Sequence, residues 1–216
     1  MKLFFLIQLF IFSTFHLAFS QRQIQKPNYD EIQEIISKND QNNYQRLVKR
    51  LQENDTTLNG DEYYLLYFAQ SLDTSYSPYS QNNKPLYDLL KAGKQQEFAS
   101  QAKEHLRKNP FDLRIRDYLL DILYESDSIQ YNLYAKPFYG FMDAIYLSGE
   151  GDNKENPHHV MSVTDEYVFM RYINVAMTQQ KLEYPCDVIT LAENKLKLKQ
   201  LFFDVSIPLK KLNSQF

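Results

Sequence analysis

The stretch SGEGDNKENPHH, residues 148–159, divides the chain into two parts with different periodicity. It holds two of the five glycines, a proline and several charges, the composition of a loop at a structural boundary. Before it, apolar residues recur at helical spacing; beyond it the period moves toward two. Val160 and Ser162 alternate with Met161 and Val163, and residues 167–174 are rich in aromatic and β-branched side chains. Residues 187–191 and 201–207 read as two further strands, the last stopped by Pro208. This pattern predicts an α+β fold, with helical hairpins packed on a small, largely antiparallel sheet rather than a parallel βαβ array. Thr164-Asp165-Glu166 offers a competing reading, the start of a helix in place of the strand at 167–174.

Working back from the boundary, residues 28–147 form the helical region. Tyr29, Ile32, Ile35 and Ile36 share one helical face, as do Tyr44, Leu47, Val48 and Leu51. Asn59-Gly60-Asp61 supplies a turn and a cap before EYYLLYFAQSL, whose apolar positions surround the helix and predict burial on all sides. A short helix at 86–91 stops at Gly93. The next carries Phe98, Ala102 and Leu106 on one face and ends near Pro110. Asp112 caps a helix with a stripe of Ile115, Leu119, Ile122 and Leu123. The pattern running to Leu147 contains Pro137, so it is either one kinked helix or two short ones. The order of helix, Asn-Pro, capped helix and short loop is weakly tetratricopeptide-like, without a repeating 34-residue signature.

Residues 1–20, MKLFFLIQLFIFSTFHLAFS, have a positive start, an apolar middle and small residues Ala18 and Ser20 before Gln21. That layout predicts a secretory signal peptide, followed by an extended lead-in at 21–27 and a loop and strand-rich region at 148–216. The apolar run is too short and interrupted to span a bilayer, so no stable membrane insertion is expected after cleavage. A secreted or periplasmic location follows. Without the leader, 23 basic side chains face 27 acidic ones, and all 17 Tyr remain while six of 15 Phe are lost.

The composition, with 44% hydrophobic and 24% charged residues, excludes a mostly disordered, collagen-like or polytopic membrane chain. A small acidic excess argues against nucleic acid as a partner. The lone Cys186 forbids an internal disulfide; burial of its thiol is preferred to pairing with another chain or nucleophilic use. No metal or cofactor is expected. His158 and His159 are neighbours that a strand would point to opposite faces. Glu150, Asp152 and Glu155 lack the spacing of a calcium loop. Asp165, Glu166, Asp187 and Asp204 fall near predicted strand ends, where they read as solubilising groups. The tyrosines divide. Tyr63, Tyr64, Tyr67, Tyr118 and Tyr146 are expected to fill helix contacts, whereas Tyr76 and Tyr79, in a polar loop, are either a binding patch or ordinary loop residues.

Several segments in order along the chain carry a resemblance. They are Asp55-Thr56-Thr57-Leu58, Glu62-Tyr63, Tyr76-Ser77-Pro78-Tyr79, Ser148-Gly149-Glu150-Gly151, His159-Val160, Asp165-Glu166-Tyr167, Cys186-Asp187-Val188 and Leu201-Phe202-Phe203-Asp204-Val205. Together they resemble a secreted bacterial family called domain of unknown function 4919. Pro157 before His158 departs from that family's pattern. The resemblance implies an exported protein with a helical front and a strand-rich back, and no activity. It nominates Gly149, Gly151, His159, Glu166 and Tyr167, beside the loop pair Tyr76 and Tyr79, as binding candidates. The expected function is non-catalytic binding of another envelope or secreted protein or peptide. The alternative is an exported hydrolase using carboxylates or His159 near the 149–159 loop.

Overall fold

A computed structural model describes residues 25–78 and 83–213. Residues 1–20, expected to form a signal peptide, lie outside the described residues. Among the described residues seven α-helices precede the boundary loop: α1 (Tyr29–Ser37), α2 (Tyr44–Gln52), α3 (Gly60–Ala69), α4 (Lys84–Lys91), α5 (Gln95–Lys108), α6 (Leu113–Ser126) and α7 (Ser128–Leu147). Side chains at their starts take up the free backbone N–H groups of the first turn. Asn28, Asp112 and Asp127 cap α1, α6 and α7. Asn59 and Glu62 cap α3 reciprocally, with Glu62 N–H to Asn59 Oδ1 at 3.0 Å and Asn59 N–H to Glu62 Oε2 at 2.8 Å.

Helix α3 is the centre of the helical layer. Every residue from Glu62 to Ala69 is buried, because α1, α2 and α7 all pack on it. Helix α7 runs unbroken through Pro137, as one helix rather than two.

After the loop come β1 (His158–His159), α8 (Val163–Tyr172), β2 (Met177–Glu183), β3 (Cys186–Leu191), β4 (Gln200–Asp204) and α9 (Ser206–Asn213). The sheet order is β1-β4-β3-β2, antiparallel except for the short parallel pairing of β1 with β4. Register places Asp187 opposite Phe203 and Cys186 opposite Asp204. Alternation therefore sends Asp187, Ile189, Leu201, Phe203 and His158 to the face that meets α8, where Phe169 touches both Phe203 and His158.

Three strand expectations are corrected. Residues 167–174 are not a strand: most of them belong to α8, because Ser162 accepts the Thr164 N–H and starts a helix that buries Val168, Phe169 and Met170. The alternation at 160–163 yields no strand either: the two-residue β1 precedes it, and Val163 already belongs to α8. Beyond Asp204 the chain turns into α9, with Pro208 accommodated in its first turn instead of ending a strand. Strand β2 carries the sequence MTQQKLE, an exposed edge without an apolar stripe, and periodicity did not point to it.

Candidate functional site

The boundary loop is built inward. Gly151 adopts φ +69°, and a Cβ there would stand 2.4 Å from the His158 ring; at Gly149 it would meet the Pro157 carbonyl at 2.0 Å. Both positions thus need glycine for close packing and, at Gly151, for a left-handed turn. Asn153 Oδ1 accepts the N–H groups of Glu155 and Asn156, and the Phe202 N–H donates to Gly151 O. Glu150 and Asp152 point to solvent. His158 and His159 are both buried and diverge. The His158 ring lies against Phe169, and burial pulls its pKa down to about 4. His159 sits with Nδ1 3.8 Å from Asp204 Oδ2 and is also lowered by burial.

Glu166 and Tyr167 belong to a second group, on α8 and the sheet. Glu166 has no exposed surface, and Asp187 is buried beside it. Gln180 joins them, donating to Asp187 Oδ2 at 2.8 Å and to Glu166 Oε2 at 3.3 Å while accepting from the Tyr167 hydroxyl. Burial, followed by the charge of Asp187, lifts the Glu166 pKa to about 9. These carboxyls do not solubilise strand ends. The cap at Ser162 turns the first turn of α8 inward.

A third group forms the floor of a cleft of about 410 Å³ in the helical layer. Its walls come from α2, from residues 73–78, from the α5–α6 turn and from residues 161–165. Tyr76 is turned inward and donates its hydroxyl proton to Met161 O at 2.5 Å. Met161 N–H donates to Tyr67 Oη at 3.1 Å, and the Tyr67 hydroxyl donates to Asp165 Oδ2 at 2.8 Å. Burial raises the Asp165 pKa to about 7 despite the hydrogen bond from Tyr67. Nearby, Asp112 Oδ2 meets His105 Nε2 at 2.8 Å and accepts from Asn83 at 2.7 Å. Burial opposes ionisation of Asp112, but the hydrogen bonds from His105, the Ile115 N–H and Asn83 outweigh it and hold the carboxyl below its usual range.

Tyr76 is therefore a cleft residue, whereas Gly149, Gly151, His159, Glu166 and Tyr167 lie elsewhere; Tyr79 falls outside the described residues. Sequence reasoning missed Asp165, Tyr67, Met161 and Asp112 as a set. Ser162-x-x-Asp165 was a legible capping pattern for α8. No local signal joins Tyr67 to a residue 98 positions away. Of the helical tyrosines, Tyr63, Tyr64 and Tyr67 fill contacts as expected, but Tyr146 is exposed. Tyr124, Tyr131, Tyr139 and Tyr172 line a separate open groove beside Arg171, which is tied to Asp117 and Asp121.

Among the described residues no group of three or more His, Cys, Asp or Glu is arranged to hold a metal ion, and no helix is long and apolar enough to cross a membrane. A family model described as a domain of unknown function, DUF4919, matches residues 30–214. No curated protein and no solved structure matches the chain.

Proposed function

The chain belongs to the DUF4919 family, and from that premise we propose that it is an exported, non-catalytic protein whose helical layer takes an extended peptide segment of another envelope or secreted protein. The observation that carries this reading is the cleft beside Tyr76 and Asp165. Its volume lies in the range of ligand clefts. Its lining combines apolar surface from Val48, Tyr76 and Phe111 with the side-chain amides of Gln45, Gln52 and Asn109, which suits a chain carrying both side chains and backbone polar groups. Asp73 is held below its usual pKa range by the Ser75 hydroxyl and N–H, and Asp112 is held low as well. Asp73, Asp112 and Asp165 line the cleft with one lysine, Lys108, and Lys211 lies near Asp73; the remaining acidic excess suits a segment that carries a basic side chain.

Export is supported by the layout of residues 1–20. The alternative, hydrolysis at the 149–159 loop, has less support: Glu150 and Asp152 face solvent, while His159 is buried away from Glu166.

Two measurements test the reading. N-terminal sequencing of the exported protein is expected to begin at Gln21. A randomised peptide library presented to the mature protein is expected to enrich sequences with Lys or Arg at one position, released intact. Gln45→Trp and Asp73→Asn are expected to weaken the enriched peptides about tenfold. Failure to enrich any sequence, or unchanged affinity in both variants, would remove the cleft as a peptide site. Recovery of cleaved peptides would favour the hydrolase.

A further inference from the structure

Arg116 lies one turn into α6 with 1% of its surface exposed, and no carboxylate among the described residues pairs with it. Its Nη2 donates to Pro110 O at 2.8 Å, but Nε and Nη1 are buried without a partner. Burial lowers its pKa to about 10, which leaves the group charged at neutral pH. A buried cation without a counter-charge is among the least favourable arrangements in a protein interior. Asp112, the N-cap of its helix, does not relieve it, because that carboxylate is engaged by His105, Asn83 and the Ile115 N–H.

Arg116 is nevertheless among the residues that line a pocket of about 300 Å³, together with Leu51, Leu106 and Tyr134 and with Lys103 and Arg107 from α5. Glu104 also lines the pocket, but its carboxylate is shared between Arg107 and Lys108. The lining therefore carries a cationic excess around a buried donor with unused N–H groups. Buried polar groups without partners call for a bound species that supplies them.

We infer that this pocket is a binding site for a small oxyanion, a carboxylate or a phosphate group, with Arg116 as its buried anchor and Lys103 and Arg107 in its lining. Guanidinium N–H groups match the oxygens of both anions in charge and geometry. The site is separate from the peptide cleft, and the inference does not rest on that reading.

The test uses the mature protein in chloride buffer at constant ionic strength. Inorganic phosphate and acetate are titrated separately, with calorimetry and thermal unfolding as readouts. Saturable one-site binding of either, with a matching rise in Tm, is expected. Phosphate alone would identify a phosphoryl ligand; acetate, a carboxylate. Arg116→Met is expected to abolish the binding and the Tm response. Lys103→Gln combined with Arg107→Gln, both away from the core, is expected to weaken it about tenfold. This second variant decides the matter should Arg116→Met fail to fold. Absence of saturable binding of both anions overturns the inference, as does binding of unchanged strength in the Lys103/Arg107 variant.

Discussion

At Glu166 a carboxyl with no exposed surface stands beside Asp187, and burial together with that neighbouring charge raises its pKa to about 9. The native state therefore holds this proton more tightly than the unfolded chain does. The stability it contributes is fully present below its ordinary value of 4.5 and is lost as pH rises through about 9. Asp165 acts in the same direction up to about 7. His158 acts oppositely, its stabilising effect disappearing as pH falls from 6.5 through about 4. Between pH 7 and 9 the Glu166 effect stands largely alone, with a limiting slope of about 1.4 kcal/mol per pH unit. Denaturant unfolding across that range is expected to show stability falling for the parent protein and a nearly flat profile for Glu166→Gln. Parallel profiles would mean that Glu166 does not hold the proton.

The 148–159 loop and α8 show how single positions govern an element. Replacing Gly151 by Ala would place a Cβ in the His158 ring and force a left-handed residue. We expect a loss of about 2 kcal/mol or more, measured by urea unfolding, with the sheet and α8 loosened together through His158 and Phe169. An unchanged midpoint would show that the ring can move aside. Elements with an apolar face of clear period, such as α1, α2 and α6, were legible in the sequence, as was the all-round burial of α3. Helix α8 was read as a strand because its aromatic and β-branched content masked the cap at Ser162. Strand β2 was missed because an edge strand exposed along its length needs no apolar alternation. Of the cleft only Tyr76 was nominated. Asp165 was noticed but assigned to a solvated strand end, an error that follows directly from the misread helix.

On the scale of the molecule, one core joins the helices to the sheet, and Cys186 lies within the sheet with no exposed surface. Burial also pushes its thiol pKa up, which leaves little thiolate at neutral pH. A thiol-specific reagent is therefore expected to label Cys186 only after denaturant is added, and gels run with and without reductant should show the same monomer band. Rapid labelling of the native protein, or a dimer lost on reduction, would point instead to a linkage between chains. The sequence by itself determined the helical front, the small, largely antiparallel sheet behind it and the lone thiol, because periodicity and cysteine count act locally. Only the tertiary structure decided which polar groups are desolvated together. Tyr67 with Asp165, Tyr76 with Met161, and Arg116 without a counter-ion owe their character to neighbours supplied by distant chain segments, at separations of 98 and 85 residues for the first two. Burial and hydrogen bonding across such distances depend on how the elements pack, and nothing in the local spacing of the residues encodes them.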